Sequence, residues 1–223
     1  KKDMLPSIGV PTTAGTGSEA QSFALIAKAD THEKMACGDR KARFGTVLLD
    51  PLLIMSVPAT VRAASGIDAL SHAVESYVSN KRNALAQLFA REAFRLLVRN
   101  FALHLENPSD LDAAAAMQLG AHLAGMAIEN SMLGSAHACA NPLTARYDTT
   151  HGHAVALMLP HVVRHNGETM GALYDELSAG AGIAEGAEGL ARAVEALREK
   201  ALLPETLAAV GVSPPKGCVL SSS

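Results

Sequence analysis

The chain has 223 residues, 48% of them hydrophobic, which is enough for one large core or two small ones. A formal charge of −3, from 19 basic and 22 acidic residues, argues against binding to nucleic acid or to an anionic membrane. No apolar run is long enough to span a membrane and no signal-peptide core follows the first residues, so we expect a cytoplasmic protein.

The first 50 or so residues consist of apolar and β-branched runs separated by glycine and charge. This pattern predicts strands in SIGVPTT, QSFALIAKA and FGTVLLD. Within this part, PTTAGTGSE is neither a P-loop, which needs GK followed by Ser or Thr, nor the GxGxxG of a Rossmann turn. It fits an ordinary glycine-rich turn, yet its hydroxyls and backbone N–H groups also suit contact with a sugar or pyrophosphate.

After Asp50 and Pro51 the sequence changes to long alanine- and leucine-rich stretches with helical spacing. We expect helices at about 59 to 79, 83 to 105, 109 to 132, 151 to 165 and 187 to 201. Ser109, followed by Asp112, approximates a capping box at the start of the third helix. Within residues 109 to 140, Gly120, Gly125 and Gly134 recur among alanines, which permits close helix packing or close approach to a ligand.

Asp68 and His72 lie four residues apart in SGIDALSHAVESY, on one face of a predicted helix. A carboxylate and an imidazole placed in this way can share a divalent ion, although such a pair more often forms a local hydrogen bond. His137 and His151 flank a predicted connection that contains Pro142 and Tyr147. Together the four residues make a plausible closed ligand set for Fe²⁺ or Zn²⁺.

The remaining histidines receive less weight in this interpretation. His153 follows His151 by two residues and therefore points to another helix face, near the site but not as a ligand. His161 and His165 form a competing i,i+4 pair without a third partner, for which we expect a structural role. Three further histidines are interpreted as incidental: His32, His104 and His122.

Five segments together resemble the iron-containing (group III) alcohol dehydrogenases in order and spacing: PTTAGTGSE, the Asp50–Pro51 dipeptide, SGIDALSHAVESYVS, GSAHACA and THGHAVALMLPHV. The resemblance runs from about residue 8 to residue 212. It implies a dehydroquinate synthase-like fold in which a metal lies between an α/β dinucleotide-binding domain and an all-helical domain. We therefore expect a mainly α chain, with residues 1–57 a remnant of the first domain and 58–223 an incomplete helical metal-binding domain.

Matched residue by residue, the resemblance implies that the metal ligands are Asp68, His72, His137 and His151. It also implies that NAD or NADP contacts the Thr-rich segment and two further positions: Thr12, Thr13, Gly15, Thr16, Gly17, Ser18, Lys34 and Asn141. At Asn141 family members commonly have a histidine. Asparagine can donate and accept hydrogen bonds but cannot titrate near neutral pH, so the proton route is left open.

The resemblance implies a metal-dependent, NAD(P)-linked alcohol dehydrogenase that interconverts a small alcohol and its aldehyde or ketone, expected to be a homo-oligomer. The family's pyrophosphate turn and its ribose-reading acidic residue belong upstream of PTTAGTGSE and are not in this sequence. A catalytically incompetent metal-binding or oligomerisation fragment is therefore one alternative. A related reductase acting on maleylacetate or lactaldehyde is another, although PTTAGTGSE favours the alcohol dehydrogenase branch.

Overall fold

A computed structural model describes residues 5–29 and 34–213, and the described chain is mainly helical. The short strands are β1 (Ile8–Gly9), β2 (Phe23–Ala27), β3 (Lys34–Gly38) and β4 (Thr46–Val47). The helices are α1 (Leu52–Met55), α2 (Ala59–Val78), α3 (Ala84–Glu106), α4 (Leu111–Asn130), α5 (Ser135–Tyr147), α6 (His151–Ala181) and α7 (Gly186–Lys200). The predicted fold class, a mainly α chain preceded by a few strands, is confirmed.

The strands form two separate pairs. β1 and β4 are parallel, with Ile8 opposite Thr46, and β2 and β3 are antiparallel, with Phe23 opposite Gly38. The strand predicted in QSFALIAKA is therefore confirmed as β2. Those predicted in SIGVPTT and FGTVLLD shrink to two residues each, because the rest of both segments lies outside the pairing.

Helix α2 lies at the centre of the molecule. It packs against α3, α4, α5, α6 and α7, and nearly all of its residues are buried. Its apolar side chains, among them Ile67, Leu70 and Tyr77, belong to the main hydrophobic core. Close packing around the helix restricts the movement of its side chains, including the polar ones.

The predicted helices agree with the structure at α2, α3, α4 and α7 within two residues. The capping prediction for α4 is wrong, because the N-cap is Asp110, whose carboxylate accepts a hydrogen bond from the Ala113 N–H at 2.8 Å. Asp110 precedes the first helical residue, Leu111, whereas Ser109 lies one position too early for this bond.

The structure contains more helix than the sequence predicts in two regions. Residues 135–147, interpreted as a connection, form α5 with Pro142 inside it; Ala140 and Leu143 of this helix pack with Val155 of α6. α6 continues past the predicted end at 165 as far as Ala181, with non-helical dihedral angles only at Met170. Its second half persists because Tyr174 and Leu177 are buried in the core, which outweighs the weak helical propensity of Asn166 and Gly167.

Among the described residues, no helix is both long enough and apolar enough to cross a bilayer.

Helices α2 and α3 are joined at one end by a buried cation. The Arg62 guanidinium donates to the backbone oxygens of His104 at 3.1 Å and Val57 at 2.7 Å. The His104 ring is 1% exposed, and neither of its nitrogens has a hydrogen-bond partner. Burial, with a smaller contribution from Arg62, lowers the pKa of His104 to about 4. His104 joins no metal-binding group among the described residues, as its low weight in the sequence interpretation implies, but protonation of its buried ring opposes folding.

We predict that His104 makes the fold sensitive to acid. Because its folded pKa of about 4 lies below the usual imidazole value of 6.5, the unfolded chain binds one more proton than the folded chain between about pH 4 and pH 6.5. The stabilisation is complete above about pH 6.5 and is lost as the pH falls toward 4. In His104→Gln, the decrease in unfolding free energy between about pH 7 and about pH 4.5 should be smaller by about 2 kcal/mol, measured by urea denaturation.

The matched control is His161→Gln, because His161 is exposed on α6. This variant should keep the pH dependence of the parent. An equal decrease in unfolding free energy in His104→Gln and in the parent would contradict the role of His104.

Candidate metal centre

The buried central helix brings Asp68 and His72 together on one face. His72 Nε2 lies 3.3 Å from Asp68 Oδ1, and both residues are 5% exposed. The pair does not form the local hydrogen bond that the spacing also allowed, because Asp68 Oδ1 is buried and has no hydrogen-bond partner. His72 Nδ1 is also buried without a partner. Such atoms are costly unless something binds them.

Two other helices bring a histidine each to Asp68. His137 lies in the first turn of α5, with its Nε2 3.1 Å from His72 Nε2 and 3.4 Å from Asp68 Oδ1. His151 is the first residue of α6, and its Nε2 lies 3.7 Å from Asp68 Oδ1. Asp68, His72 and His137 satisfy a compact ligand geometry among the described residues, and the partly exposed His151 lies beside them.

The spacing of these atoms suits a metal ion. With metal–nitrogen distances of about 2.1 Å, ligand atoms at the corners of a tetrahedron lie about 3.4 Å apart. The four separations given above range from 3.1 to 3.7 Å. Three imidazoles and one carboxylate are also a donor set that divalent iron and zinc accept. The residues therefore fit the metal that the sequence predicts, while their assignment as ligands stays a prediction.

Glu75 is a site residue that the sequence analysis missed. Its Oε2 lies 2.5 Å from His137 Nδ1, and its Oε1 accepts a hydrogen bond from the Ala136 N–H at 2.6 Å. The carboxylate thus caps the N-terminus of α5, where the N-cap residue Gly134 supplies no side-chain bond. Gly134 also leaves room for it, since a Cβ there would lie 2.9 Å from Oε1. The signal was the i, i+4, i+7 spacing from Asp68 through His72 to Glu75.

Glu75 sets which nitrogen of His137 carries a proton. Facing a carboxylate, Nδ1 holds its hydrogen, so that in the neutral ring Nε2 presents its lone pair toward Asp68 and His72. A carboxylate behind a histidine is the usual support of a metal-binding imidazole, because it fixes the ring and raises its basicity.

The charges of the cluster favour a cation at its centre. Burial lowers the pKa of His72 to about 4, so this ring is neutral at pH 7. Burial acts in the same sense on His137, but the neighbouring carboxylates of Asp68 and Glu75 outweigh it and raise the pKa of His137 to about 9. Burial acts to raise the pKa of Asp68, and the neighbouring His72 and His137 lower it well below its usual range. Two buried carboxylates therefore hold a positive charge between them.

The Thr-rich segment lies against the helices with its small residues and turns its hydroxyls outward. Ala14, Gly15 and Gly17 are buried, whereas Thr12, Thr16 and Ser18 are exposed and Thr13 is half-buried. Thr16 Oγ1 donates to Ser18 Oγ at 3.1 Å. A ligand approaching from outside would therefore meet hydroxyl groups, as the sequence predicts, although contact with a cofactor stays untested.

The other predicted positions are less informative. Asn141 is exposed on α5, four residues beyond His137, and Lys34 begins β3 while its side chain lies outside the described part of the structure.

His153 is half-buried, and the exposed His161 and His165 join no metal-binding group within the described residues. His122 Nδ1 lies 3.0 Å from Glu19 Oε1, and His122 joins no metal-binding group among the described residues either; His32 lies outside the described residues.

Comparison with known proteins identifies relatives over nearly the whole chain. The model of the Fe-containing alcohol dehydrogenase family, C-terminal, matches residues 62–218, and that of iron-containing alcohol dehydrogenase matches residues 1–51. The chain is 40% identical to the 1,3-propanediol dehydrogenase of Klebsiella pneumoniae, over 72% of this chain and 42% of that protein. It is 33% identical to the lactaldehyde reductase of Escherichia coli (strain K12), over 95% of this chain and 56% of that protein.

A solved structure shares the fold. It is the sulfoacetaldehyde reductase from Bifidobacterium kashiwanohense in complex with NAD⁺, 27% identical, with a TM-score of 0.88 over 94% of this chain and 55% of that one. The chain thus spans about half the length of the relatives that it matches.

We predict that Glu75→Gln weakens metal binding. A side-chain amide offers one acceptor where the carboxylate offers two, so it cannot satisfy both the Ala136 N–H and the His137 Nδ1–H. His137 is then driven to the tautomer with hydrogen on Nε2, which points at the site. The Zn²⁺ dissociation constant, measured by chelator competition, should rise about 10- to 100-fold.

Glu106→Gln serves as the control, since Glu106 is an exposed acid paired with Lys200. It should bind Zn²⁺ as the parent does. A folded Glu75→Gln protein with the parent's affinity would contradict the role of Glu75.

Proposed function

The chain belongs to the iron-containing alcohol dehydrogenase family, and from this premise we propose that it carries the metal site and part of the cofactor site of an NAD(P)-linked alcohol dehydrogenase. The reaction is reversible hydride transfer between a small alcohol and its aldehyde or ketone. The observation that carries the proposal is the convergence of three imidazole Nε2 atoms on the buried Asp68 Oδ1.

Asp68, His72, His137 and His151 hold the ion in this proposal. One carboxylate and three neutral imidazoles leave a divalent ion with a net positive charge. The bound metal supplies Lewis-acid stabilisation of the substrate oxygen. Glu75 keeps the lone pair of His137 directed at the site, and the buried surroundings of α2 keep the donors from turning toward water.

The cofactor is NAD or NADP, which supplies the hydride chemistry. Support comes from the exposed hydroxyls of the Thr-rich segment and from the NAD⁺ complex of the related sulfoacetaldehyde reductase. Asn141, one helical turn beyond His137 on α5, can hydrogen-bond a polar group of the cofactor or substrate. Because its side chain does not titrate near neutral pH, it orients such a group and does not carry its proton.

For the substrate we propose a three-carbon hydroxyaldehyde and the corresponding diol. The relatives named 1,3-propanediol dehydrogenase and lactaldehyde reductase both carry such a compound in their names. Iron is the proposed metal from the family description, with zinc as the alternative, since a nitrogen and oxygen site generally binds zinc more tightly.

A second candidate function is a metal-binding helical unit without turnover. Its support is the cluster around Asp68, which forms among α2, α5 and α6 without the strand-containing segment. This candidate predicts metal binding without saturable binding of NADH.

We predict that the chain, loaded anaerobically with Fe²⁺, oxidises NADH or NADPH in the presence of lactaldehyde or 3-hydroxypropionaldehyde, measured as loss of absorbance by the reduced cofactor. His72→Ala should lower this rate by more than about 100-fold, because the metal contributes several kcal/mol to the transition state. His165→Ala is the matched control, an exposed histidine outside the cluster, and should keep the parent's rate.

Turnover that survives in His72→Ala would contradict the assigned site. A parent that binds metal but neither binds NADH nor consumes it would leave the second candidate as the function of this chain.

A further inference from the structure

One face of α4 packs against the strand-containing segment that carries the Thr-rich loop. Gln118, His122, Gly125 and Glu129 follow one another at spacings of four, three and four residues, which places them in a row along the helix. Each of the four contacts the segment between Pro11 and Ser22. We call this row the α4 stripe.

The N-terminal part of the stripe, Gln118 and His122, contacts the segments that follow β1 and β4. Gln118 is 2% exposed, and its side-chain Nε2 donates to two backbone oxygens, those of Pro11 and Asp50, each at 3.2 Å. Pro11 follows β1 and Asp50 follows β4, so one amide joins the ends of the two strands. His122 then pairs with Glu19, a carboxylate that is 7% exposed.

The C-terminal part of the stripe, Gly125 and Glu129, contacts the loop and the residues that follow it. Glu129 Oε2 accepts from the Ser22 N–H at 2.9 Å, and Glu129 Oε1 accepts from the Ser22 hydroxyl at 2.8 Å. Between these bonds the backbone of Gly17, at φ 59°, touches Gly125, where a Cβ would lie 2.4 Å from the Gly17 oxygen. No side chain fits at Gly125 unless the loop moves.

The loop also touches the helix that carries the proposed metal ligands. A Cβ on Gly15 would lie 2.5 Å from the Ser65 Cβ, and Ser65 precedes Asp68 by three residues on α2. The Thr-rich loop is therefore held between α4 and α2, and its outward hydroxyls have a fixed relation to the cluster around Asp68.

We propose that the α4 stripe is a positioning device for the cofactor, in that it sets the distance between the loop hydroxyls and the metal site without touching the cofactor itself. The proposal rests on the proposed function for the identity of the ligand, a nicotinamide dinucleotide. Its physical basis is preorganisation: a loop already held in its binding geometry loses less conformational entropy when the ligand binds.

The test compares two glycines of the same helix. Gly125→Ala places a methyl group against the loop, whereas Gly120→Ala places the same group against the Leu97 side chain of α3. Both substitutions raise the helical propensity of α4 alike. The readouts are amide hydrogen exchange of residues 12–22, the NADH dissociation constant and metal content per chain.

We expect Gly125→Ala to accelerate exchange in residues 12–22 and to raise the NADH dissociation constant, each by about tenfold or more, with unchanged metal content. Gly120→Ala should change neither quantity. Glu129→Gln, which weakens the bonds to Ser22 without steric conflict, should have the same direction of effect and keeps the test valid if Gly125→Ala does not fold.

Unchanged loop exchange in both Gly125→Ala and Glu129→Gln would overturn the proposal. Faster exchange with an unchanged NADH dissociation constant would also overturn it, by reducing the stripe to a structural contact. A parent that does not bind NADH would instead refute the proposed function, and with it the cofactor role of the stripe, whatever the exchange rates.

Discussion

The burial of Asp68, His72 and Glu75 in the central helix is the constraint on which the rest of the site depends. α2 is enclosed by other helices, so two carboxylates and an imidazole on one of its faces are removed from water. Buried charges are tolerated only when paired, hydrogen-bonded or bound to metal. His137 lies between the two carboxylates, with Nδ1 2.5 Å from Glu75 Oε2 and Nε2 3.4 Å from Asp68 Oδ1.

The same constraint explains where the neighbouring helices begin. α5 starts at Ser135 without a capping side chain of its own, because Glu75 from α2 accepts the Ala136 N–H. This cap places His137 within the first turn of α5, opposite His72. α6 begins at His151, so its first residue reaches Asp68 from the more open side. Capping of a helix and support of a proposed metal ligand are thus tasks of a single carboxylate.

The sequence was sufficient for features that depend on local periodicity. Helices α2, α3, α4 and α7, and the shared face of Asp68 and His72, follow from the spacing of their residues. α5 was missed because its cap comes from a residue 61 positions earlier in the chain and because Pro142 indicates a break. The surroundings of His122 and His104 are unpredictable for a similar reason, since the pairing with Glu19 and the burial of His104 arise only in the folded chain.

The central claim is that Asp68, His72, His137 and His151 together bind one divalent ion, and an anaerobic titration with Co²⁺ followed by visible absorption tests it most directly. The account predicts saturation at about one equivalent with the intense bands of four-coordinate Co²⁺, and loss of those bands in a folded Asp68→Ala variant. A folded parent without saturable bands, or bands that persist in Asp68→Ala, would contradict it.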